Sequence, residues 1–569
     1  MTKPQTTTGQ TDWSSQASQL LAARKLPELQ RLLEQLLQGQ PENNEARQLL
    51  GVAHSMQGRH ADGVKHLSLA ISLNEFQPDW MFNLANILSN DGQIELALMT
   101  YRRLLNLAPG HAQGWFNLAN LLSDQQKHNQ AIDAYRRALL ADPSYLKAMV
   151  NLASSLSRVG DFDGALKIFR QILASDPKHV GARNNMANLL RDLGNPQEAR
   201  RLLLELAKED PTSARVQNNL GSAWRESGDL QQSLVCYRKA LELKSDYPEG
   251  QMNYAMALLT DGQWEKGWRH YEARLDPRLQ VAIAVAPINT ARWTGQDLKG
   301  QRILVHGEQG LGDMLQFCRF VPLLEKMGAE VFLLTDRSLK RLFQTLDMRA
   351  QVLSNGDAVP ADLHYEVSLL SLPLYLGIFS PTQFHPTPYL KADDEAVSHW
   401  RSRLDNWFPN STRDTRKRVG IVWAGNPRRE MPLASLVDRR RSLSLPQAHK
   451  LVLSHPNIDW VSLQKGEQEE GLADIKSAAS FLHDFADTAA LCQALDAVVT
   501  VDTSVAHLCA SIGRPTIMLS RFDACWRWGL QGVQTPWYPS MRIVRQSRYG
   551  DWSNVLQQVG SELQALGAR

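Results

Sequence analysis

A chain of 569 residues is longer than one hydrophobic core normally organises, which predicts two or three domains. With 62 basic against 59 acidic residues it is close to charge balance, which argues against a nucleic-acid partner, and a 43% hydrophobic share excludes a mostly disordered chain. Cys236, Cys318, Cys492, Cys509 and Cys525 sit in apolar stretches without CxxC spacing, so neither a disulfide frame nor a zinc site is expected. Met1 to Ser18 is polar and no later run reaches the ~20 apolar residues of a membrane span, which predicts a cytoplasmic protein.

The first half repeats itself. Asn83-Leu84-Ala85, Asn117-Leu118-Ala119, Asn151-Leu152-Ala153, Asn185-Met186-Ala187, Asn219-Leu220-Gly221 and Asn253-Tyr254-Ala255 recur every 34 residues, the tetratricopeptide period. Gly92, Gly160, Gly194, Gly228 and Gly262 are placed to turn between helices, and Ala97, Ala131, Ala165 and Ala199 to let them pack closely. Pro109, Pro143, Pro177 and Pro211 end the repeats in phase. A degenerate copy at Leu49-Leu50-Gly51 with Gly58, and one more helix pair from about Trp13, are expected ahead of these as capping units. The array is predicted to occupy residues 1–275, closing at Trp264, Trp268 and Tyr271, with an irregular linker over 276–300.

Asn83, Asn117, Asn151, Asn185, Asn219 and Asn253 fall at one helical position in successive repeats, so stacking aligns them as a ladder. An amide offers a donor and an acceptor together, which suits the backbone of an extended peptide; bridging between neighbouring helices is the competing use. Asn86, Asn120 and Asn188 would widen the same strip. On these residues, the array resembles the tetratricopeptide half of the O-linked N-acetylglucosamine protein transferases. The resemblance implies that the ladder holds an acceptor polypeptide.

The second half reads as two α/β lobes, 301–390 and 391–569. Apolar runs at Ile303–Val305 and Val331–Leu334 predict a first parallel sheet, and Val419–Trp423, Trp460–Leu463, Val498–Val501 and Thr516–Leu519 a second, with Pro381, Pro386 and Pro388 in the connection. Such sheets bind ligands at the carboxyl ends of their strands. There the first strand runs into His306-Gly307-Glu308-Gln309-Gly310-Leu311-Gly312-Asp313-Met314-Leu315-Gln316, a glycine-rich turn opening a helix. Asp313 could accept a proton from an attacking hydroxyl, or cap the helix. A later strand runs into Asp502-Thr503-Ser504-Val505-Ala506-His507, where hydroxyls and free helix amides could cradle a diphosphate, with His507 either reaching the same ligand or packing. Asn426, Gln464, Lys465 and Glu467 end strands of the second lobe; Lys465 could offset phosphate charge, Glu467 could bind a sugar hydroxyl, and each could equally be an ordinary loop residue. Arg439, Arg440 and Arg441 form either a basic lid or a solvated run. Trp526, Trp528, Trp537 and Tyr538 read as core.

Gly312-Asp313 and Asp502 to His507 together resemble glycosyltransferase family 9, the ADP-heptose transferases of GT-B fold. That resemblance implies Asp313, after Gly312, as catalytic base and Asp502, Thr503, Ser504 and His507 as donor-binding; Gln316 in the glycine-rich turn and Asn426, Gln464, Lys465 and Glu467 at the strand ends are expected, from their positions, to complete the donor site. Ser504 replaces the glycine of that family. No carboxylate pair or histidine cluster has metal spacing, so catalysis is expected without a metal or cofactor, the nucleotide-sugar serving as co-substrate. The combined architecture is similar to bacterial flagellin glycosyltransferases. The expectation is an inverting enzyme that moves a sugar to Ser or Thr of a protein acceptor, flagellin being a candidate. A glycan or lipopolysaccharide acceptor, or a catalytically silent scaffold, are the alternatives.

Overall fold

Residues 12–74, 77–279, 290–308, 310–384, 388–409, 416–466, 472 and 475–565 are described by a computed structural model of the chain. The chain divides into two compact units, Met1–Asn185 and Met186–Arg569.

The repeats are antiparallel helix pairs, as their period predicts. The first is Asp12–Ala22 with Leu26–Gly39, so the array does begin near Trp13. Between the two helices of every pair one residue takes a left-handed backbone: Arg24, Gly58, Gly92, Gln126, Gly160, Gly194, Gly228 and Gly262. Each is 34 positions from the next. Glycine dominates because it adopts positive φ without a Cβ penalty; Arg24 (54°) and Gln126 (59°) carry that strain and hide the repeat from a glycine count. The small residues behave as expected: Ala97, Ala131, Ala165 and Ala199 are all fully buried.

The compact units separate inside the array, at Asn185, rather than at the expected boundary of 275. The cause is aromatic packing in the second unit. Trp264 and Trp268 of the last repeat helix, Trp264–Tyr271, meet Trp526 edge-on at 6.4 and 5.4 Å between ring centroids, and Trp268 also meets Phe317. These rings share one core with both α/β lobes, so the final repeats fold with the lobes. The linker also differs from expectation. Residues 280–289 lie outside the described residues, but Ala291–Arg292 pairs as an edge strand and Trp293 is fully buried.

The first sheet contains β1 (Ala291–Arg292), β2 (Arg302–His306), β3 (Glu330–Thr335), β4 (Gln351–Ser354) and β5 (Tyr365–Ser368), all parallel in the order β1-β5-β2-β3-β4. The second contains β6 (Lys417–Val422), β7 (Ile458–Ser462), β8 (Lys476–Ser477), β9 (Ala497–Val501), β10 (Thr516–Ser520) and β11 (Met541–Arg545), parallel in the order β11-β10-β9-β6-β7-β8. β9 and β10 are buried at every residue, as expected of a parallel sheet covered on both faces. In the second sheet the chain moves from β6 outward through β7 and β8, then returns to β9 on the other side. The gap between β6 and β9 is therefore the topological switch point where such sheets place ligands.

One buried ion pair ties the end of the repeats to the first sheet. Arg274 Nε donates to Glu308 Oε2 at 3.0 Å and its terminal nitrogen to Oε1 at 2.6 Å. Both side chains are essentially without solvent. Glu308 also accepts from the Leu370 amide, and Arg274 donates to Ser371 Oγ. Burial would raise the Glu308 carboxyl, but the charge and hydrogen bonds of Arg274 outweigh it and hold it below the usual value. Arg274 also pairs with Glu272 at 2.6 Å, so deleting Glu308 leaves it one carboxylate at the edge of the core and its buried charge under-compensated. Glu308→Gln is therefore expected to cost about 3–5 kcal/mol, read as a lower urea midpoint for the second unit. Because the folded value is depressed, this contribution is present above the unfolded pKa and disappears as pH falls through the folded one. A variant with an unchanged midpoint at neutral pH would show that the pair does not hold the repeats to the sheet.

Candidate functional site

β2 ends at His306, and the chain turns through Gly307 into the helix Leu311–Phe317. β9 ends at Val501 and leads into the helix Ser504–Ser511. The two helices meet, and they do so at Gly312. A Cβ there would lie 2.9 Å from Cδ2 of His507 and 3.5 Å from Cα of Ser504. The sequence pairs these motifs only through their chemistry; the fold joins them by contact, and the missing side chain of Gly312 permits it.

His507 is buried at this crossing. Its Nδ1 lies 3.0 Å from the Tyr538 hydroxyl, and its ring packs on Trp528 at 5.0 Å between centroids. Burial, then the charges of Arg527 and Arg319, push its pKa well below the usual value, so the imidazole is neutral at physiological pH. Of the two roles read from the sequence, packing is the one its surroundings fit: it spaces the two helices and carries no charge for a phosphate.

Asp313 lies one residue beyond the contact. Its Oδ2 accepts from the Gly310 amide at 3.1 Å, so it does serve the helix start. Its Oδ1 forms an ion pair with Arg527. Burial raises the carboxyl above the ordinary value, with Arg527 and the Gly310 amide acting against that and Glu308 and Asp502 adding to it. Arg527 stands between two of the tryptophans read as core, Trp526 and Trp528, and nothing in its spacing marked its role. Its Nε donates to Gln316 Oε1 at 2.7 Å, and its guanidinium stacks on Trp526 at 4.2 Å. Gln316 is fully buried; it holds Arg527 and does not face a donor. Arg319 is a second residue the sequence reading missed. Wholly inside the protein, it donates to the Trp537 carbonyl at 3.0 Å and the Tyr389 hydroxyl at 2.9 Å, and so sews the first lobe to the second. Trp526, Trp528, Trp537 and Tyr538 are core, as read.

A cavity of about 510 Å³ opens at the carboxyl ends of the second sheet. Leu311 and Ser338 contribute from the first lobe; Gly425, Asn426, Lys465, Thr503 and Ser504 are among those from the second. Thr503 caps the Ser504 helix in an extended conformation, its hydroxyl 3.1 Å from that of Thr500. Asn426 is exposed at the rim, where its Oδ1 accepts from the Arg428 amide. Lys465 lines the cavity with its ammonium on the Leu482 carbonyl. Gln464 is spent on architecture: Oε1 accepts from the Trp423 and Ala424 amides, and Nε2 donates to the Ala424 carbonyl, which locks the end of β6 to the end of β7. Asp502 turns its backbone carbonyl to Arg441 at 3.1 Å. Glu467, Gln309 and Pro386 lie outside the described residues.

The three arginines part ways: Arg439 is exposed to solvent, and the other two are held in ion pairs. They end the helix Pro432–Arg441. Arg440 pairs with Glu226 of a repeat helix and with Asp523, while Arg441 pairs with Asp438 at 2.6 Å.

The asparagines bridge neighbouring repeats. In the first unit Asn117 Nδ2 donates to Asn86 Oδ1 at 2.7 Å, and Asn151 Nδ2 to Asn120 Oδ1 at 2.8 Å. The same acceptors also take the hydroxyls of Tyr101 and Tyr135. Asn185 Nδ2 donates to Ser154 Oγ at 3.3 Å. In the second unit Asn253 Nδ2 donates to Asn218 Oδ1 at 3.0 Å, and Asn219 is buried. Asn86 and Asn120 are thus bridging acceptors more than a widened strip. Asn83, Asn117, Asn151 and Asn185 are half-buried, and with Nδ2 committed in Asn117 and Asn151, Oδ1 is the atom left to meet a bound N–H.

Two classes of structure thus share the chain, a helical repeat array and a pair of parallel α/β sheets. Residues 15–78, 81–111, 112–145, 156–221 and 214–247 match tetratricopeptide-repeat families, and the helical part is such an array. Protein FlbA of Caulobacter vibrioides is 29% identical over a match 352 positions long that covers 56% of this chain and 55% of FlbA. The chain spans about half the length of that curated relative. Among solved structures, a tetratricopeptide repeat protein from Parabacteroides merdae is 16% identical, covering 43% of this chain and 98% of its own, with a TM-score of 0.38. YrrB, a tetratricopeptide protein with an unusual peptide-binding site, is 22% identical, covering 32% and 95%, with a TM-score of 0.27. No described helix is long and apolar enough to cross a membrane.

Gly312→Ala tests the helix crossing. The buried His507 ring has no room to move, so the added methyl is expected to destabilise the second unit by about 1–3 kcal/mol, the usual cost of overpacking. Thermal melting reads this. A melt indistinguishable from that of the unaltered chain would mean that the two helices do not depend on their close approach.

Proposed function

We propose that the chain moves a sugar from a nucleotide-sugar to a Ser or Thr hydroxyl of a protein acceptor held by the repeat array. The observation that carries this reading is the crossing at Gly312. It places a partly buried carboxylate on the helix that supplies Leu311 to the cavity wall, against a second helix whose first residues, Ser504 and Val505, line the same cavity. Helix N-termini favour anions, and a cavity of about 510 Å³ is of the size that takes small-molecule ligands.

In the transfer, the acceptor hydroxyl oxygen bonds to the anomeric carbon as the bond from that carbon to the diphosphate oxygen breaks. The bonding pair leaves with the diphosphate, and the hydroxyl proton passes to Asp313. Displacement from the opposite face inverts the anomeric centre. Arg527 keeps the carboxylate ionised and aimed, and the Ser504 helix amides take up charge on the leaving group. Flagellin is the first acceptor to test.

Release of nucleoside diphosphate, read together with the intact mass of the acceptor, separates the possibilities. A protein acceptor gains one sugar mass per transfer; a glycan acceptor gives turnover without that shift; a silent scaffold gives neither. Asp313→Asn is expected to retain donor binding and lose about 10²- to 10⁴-fold in turnover. Because the base works deprotonated and burial raises its pKa, turnover should climb with pH along a limb lying above the ordinary aspartate value of about 3.9. Undiminished turnover in Asp313→Asn would reduce this carboxylate to a helix cap.

The ladder has its own test. Asn117→Ala, Asn151→Ala and Asn185→Ala together remove the inter-repeat bonds and any bonds to a bound chain, each worth about 0.5–1.5 kcal/mol net. Glycosylation of protein should fall sharply while hydrolysis of the donor by water continues. Helical content should persist, since alanine favours helix, with a lower melting temperature from the lost bridges. Full glycosylation at the original affinity would make bridging the whole purpose of the ladder.

A further inference from the structure

The Pro432–Arg441 helix belongs to an excursion between β6 and β7 that folds back over the end of β6. The Leu443 amide donates to the Trp423 carbonyl at 2.8 Å and the Gly425 amide to Ser442 Oγ at 3.1 Å. That return fixes where the last residue of the helix points. The Arg441 guanidinium spans the gap between the ends of β6 and β9, the switch point of the second sheet. One terminal nitrogen donates to the Asp502 carbonyl at 3.1 Å, at the end of β9. The group also lies flat against Gly425, at the end of β6, where a Cβ would be 2.7 Å from its other terminal nitrogen and 3.0 Å from its central carbon. Gly425 on one side, and Thr503 and Ser504 beside Asp502 on the other, all line the cavity.

We propose that Arg441 binds the diphosphate of the donor and neutralises it as it leaves, a role that deepens the glycosyl-transfer reading and rests on it. Asp438 makes this possible. It is almost fully buried and pairs with both Arg441 and Arg428, so two guanidinium groups share one carboxylate. Arg428 holds a left-handed backbone (φ 42°) beside Asn426 to reach it. Arg441 is about a quarter exposed, and each terminal nitrogen has a second N–H beyond its protein bond. Two such donors in one plane match the oxygens of a phosphate bidentately, which a lysine cannot do. Among the described cations nearby, Lys465 is on the Leu482 carbonyl, Arg440 is on Glu226 and Asp523, and Arg527 is on Asp313. Gly425 is glycine because the guanidinium occupies its side-chain space.

Calorimetry on the full chain with ADP, GDP, UDP, CDP and dTDP tests this. Whichever binds should bind Arg441→Met at least about tenfold more weakly, the scale of a lost charge-assisted hydrogen bond. Arg441→Lys, which keeps the charge and loses the fork, should fall between. Arg441→Gln gives the same reading in a side chain closer in polarity, should the Met variant melt early, and Arg439→Met, an exposed change on the same helix, should bind as the original does. If the unaltered chain binds none of these diphosphates, the glycosyl-transfer reading and the role of Arg441 both fall. If it binds one and the Met and Gln variants bind it equally well, only the role of Arg441 falls.

Discussion

Gly312 lacks a side chain where the His507 ring needs the space, and the geometry of the α/β half follows from that contact. It lets the helix after β2 lie directly on the helix after β9, which brings the carboxyl ends of two separate sheets to one cavity. A side chain at this position would push the two helices apart. His507 performs its part as a neutral, buried wedge held by Tyr538 and Trp528. Its value lies in shape, and its low pKa means the wedge does not acquire charge across the physiological range.

The same junction is braced from several directions by buried arginines, each meeting a different demand. Among the described residues Arg319 meets no carboxylate and is satisfied by carbonyls, a hydroxyl and aromatic faces. Arg274 answers Glu308 in the core, and Arg527 answers Asp313. A planar group with five donors suits each of these places, because it can bind several partners in fixed directions at once. Arg440 and Arg441 extend the pattern along one helix, the first reaching back to the repeats and the second forward to the cleft. Neighbouring residues on a rigid helix end therefore link the helical array to the switch point of the second sheet.

Signals that repeat were legible in the sequence, and signals that depend on tertiary pairing were not. The 34-residue period located the helix pairs back to Trp13, because every repeat reuses the same small and apolar positions; only Arg24 and Gln126, left-handed without being glycine, broke the pattern. β2, β3, β6, β7, β9 and β10 were legible as apolar runs, whereas β4, β5 and β11, whose few apolar residues are interrupted or flanked by polar ones, were not predicted. β1 and β8, of two residues each, were too short to leave one. Within the site, Gly312, Asp313, Thr503 and Ser504 were recognisable from their place after strands. Gln316 and Gln464 were read as ligand contacts because a polar residue beside a glycine turn looks available, whereas burial commits one to Arg527 and the other to the backbone of β6 and β7. Arg527 was hidden by the tryptophans around it. The asparagines were read for what they could offer a peptide, and their Nδ2 groups are used first by the next repeat.

On the proposed function, the cavity between Gly425, Lys465 and Ser504 holds the nucleotide end of a donor, with the reacting sugar directed toward Asp313. A crystal structure of the full chain grown with a bound nucleoside diphosphate tests this. Phosphate density is expected at the amino end of the Ser504 helix, within hydrogen-bonding distance of its first amides. Nucleotide density elsewhere on the chain, with this cavity holding only solvent, would contradict it.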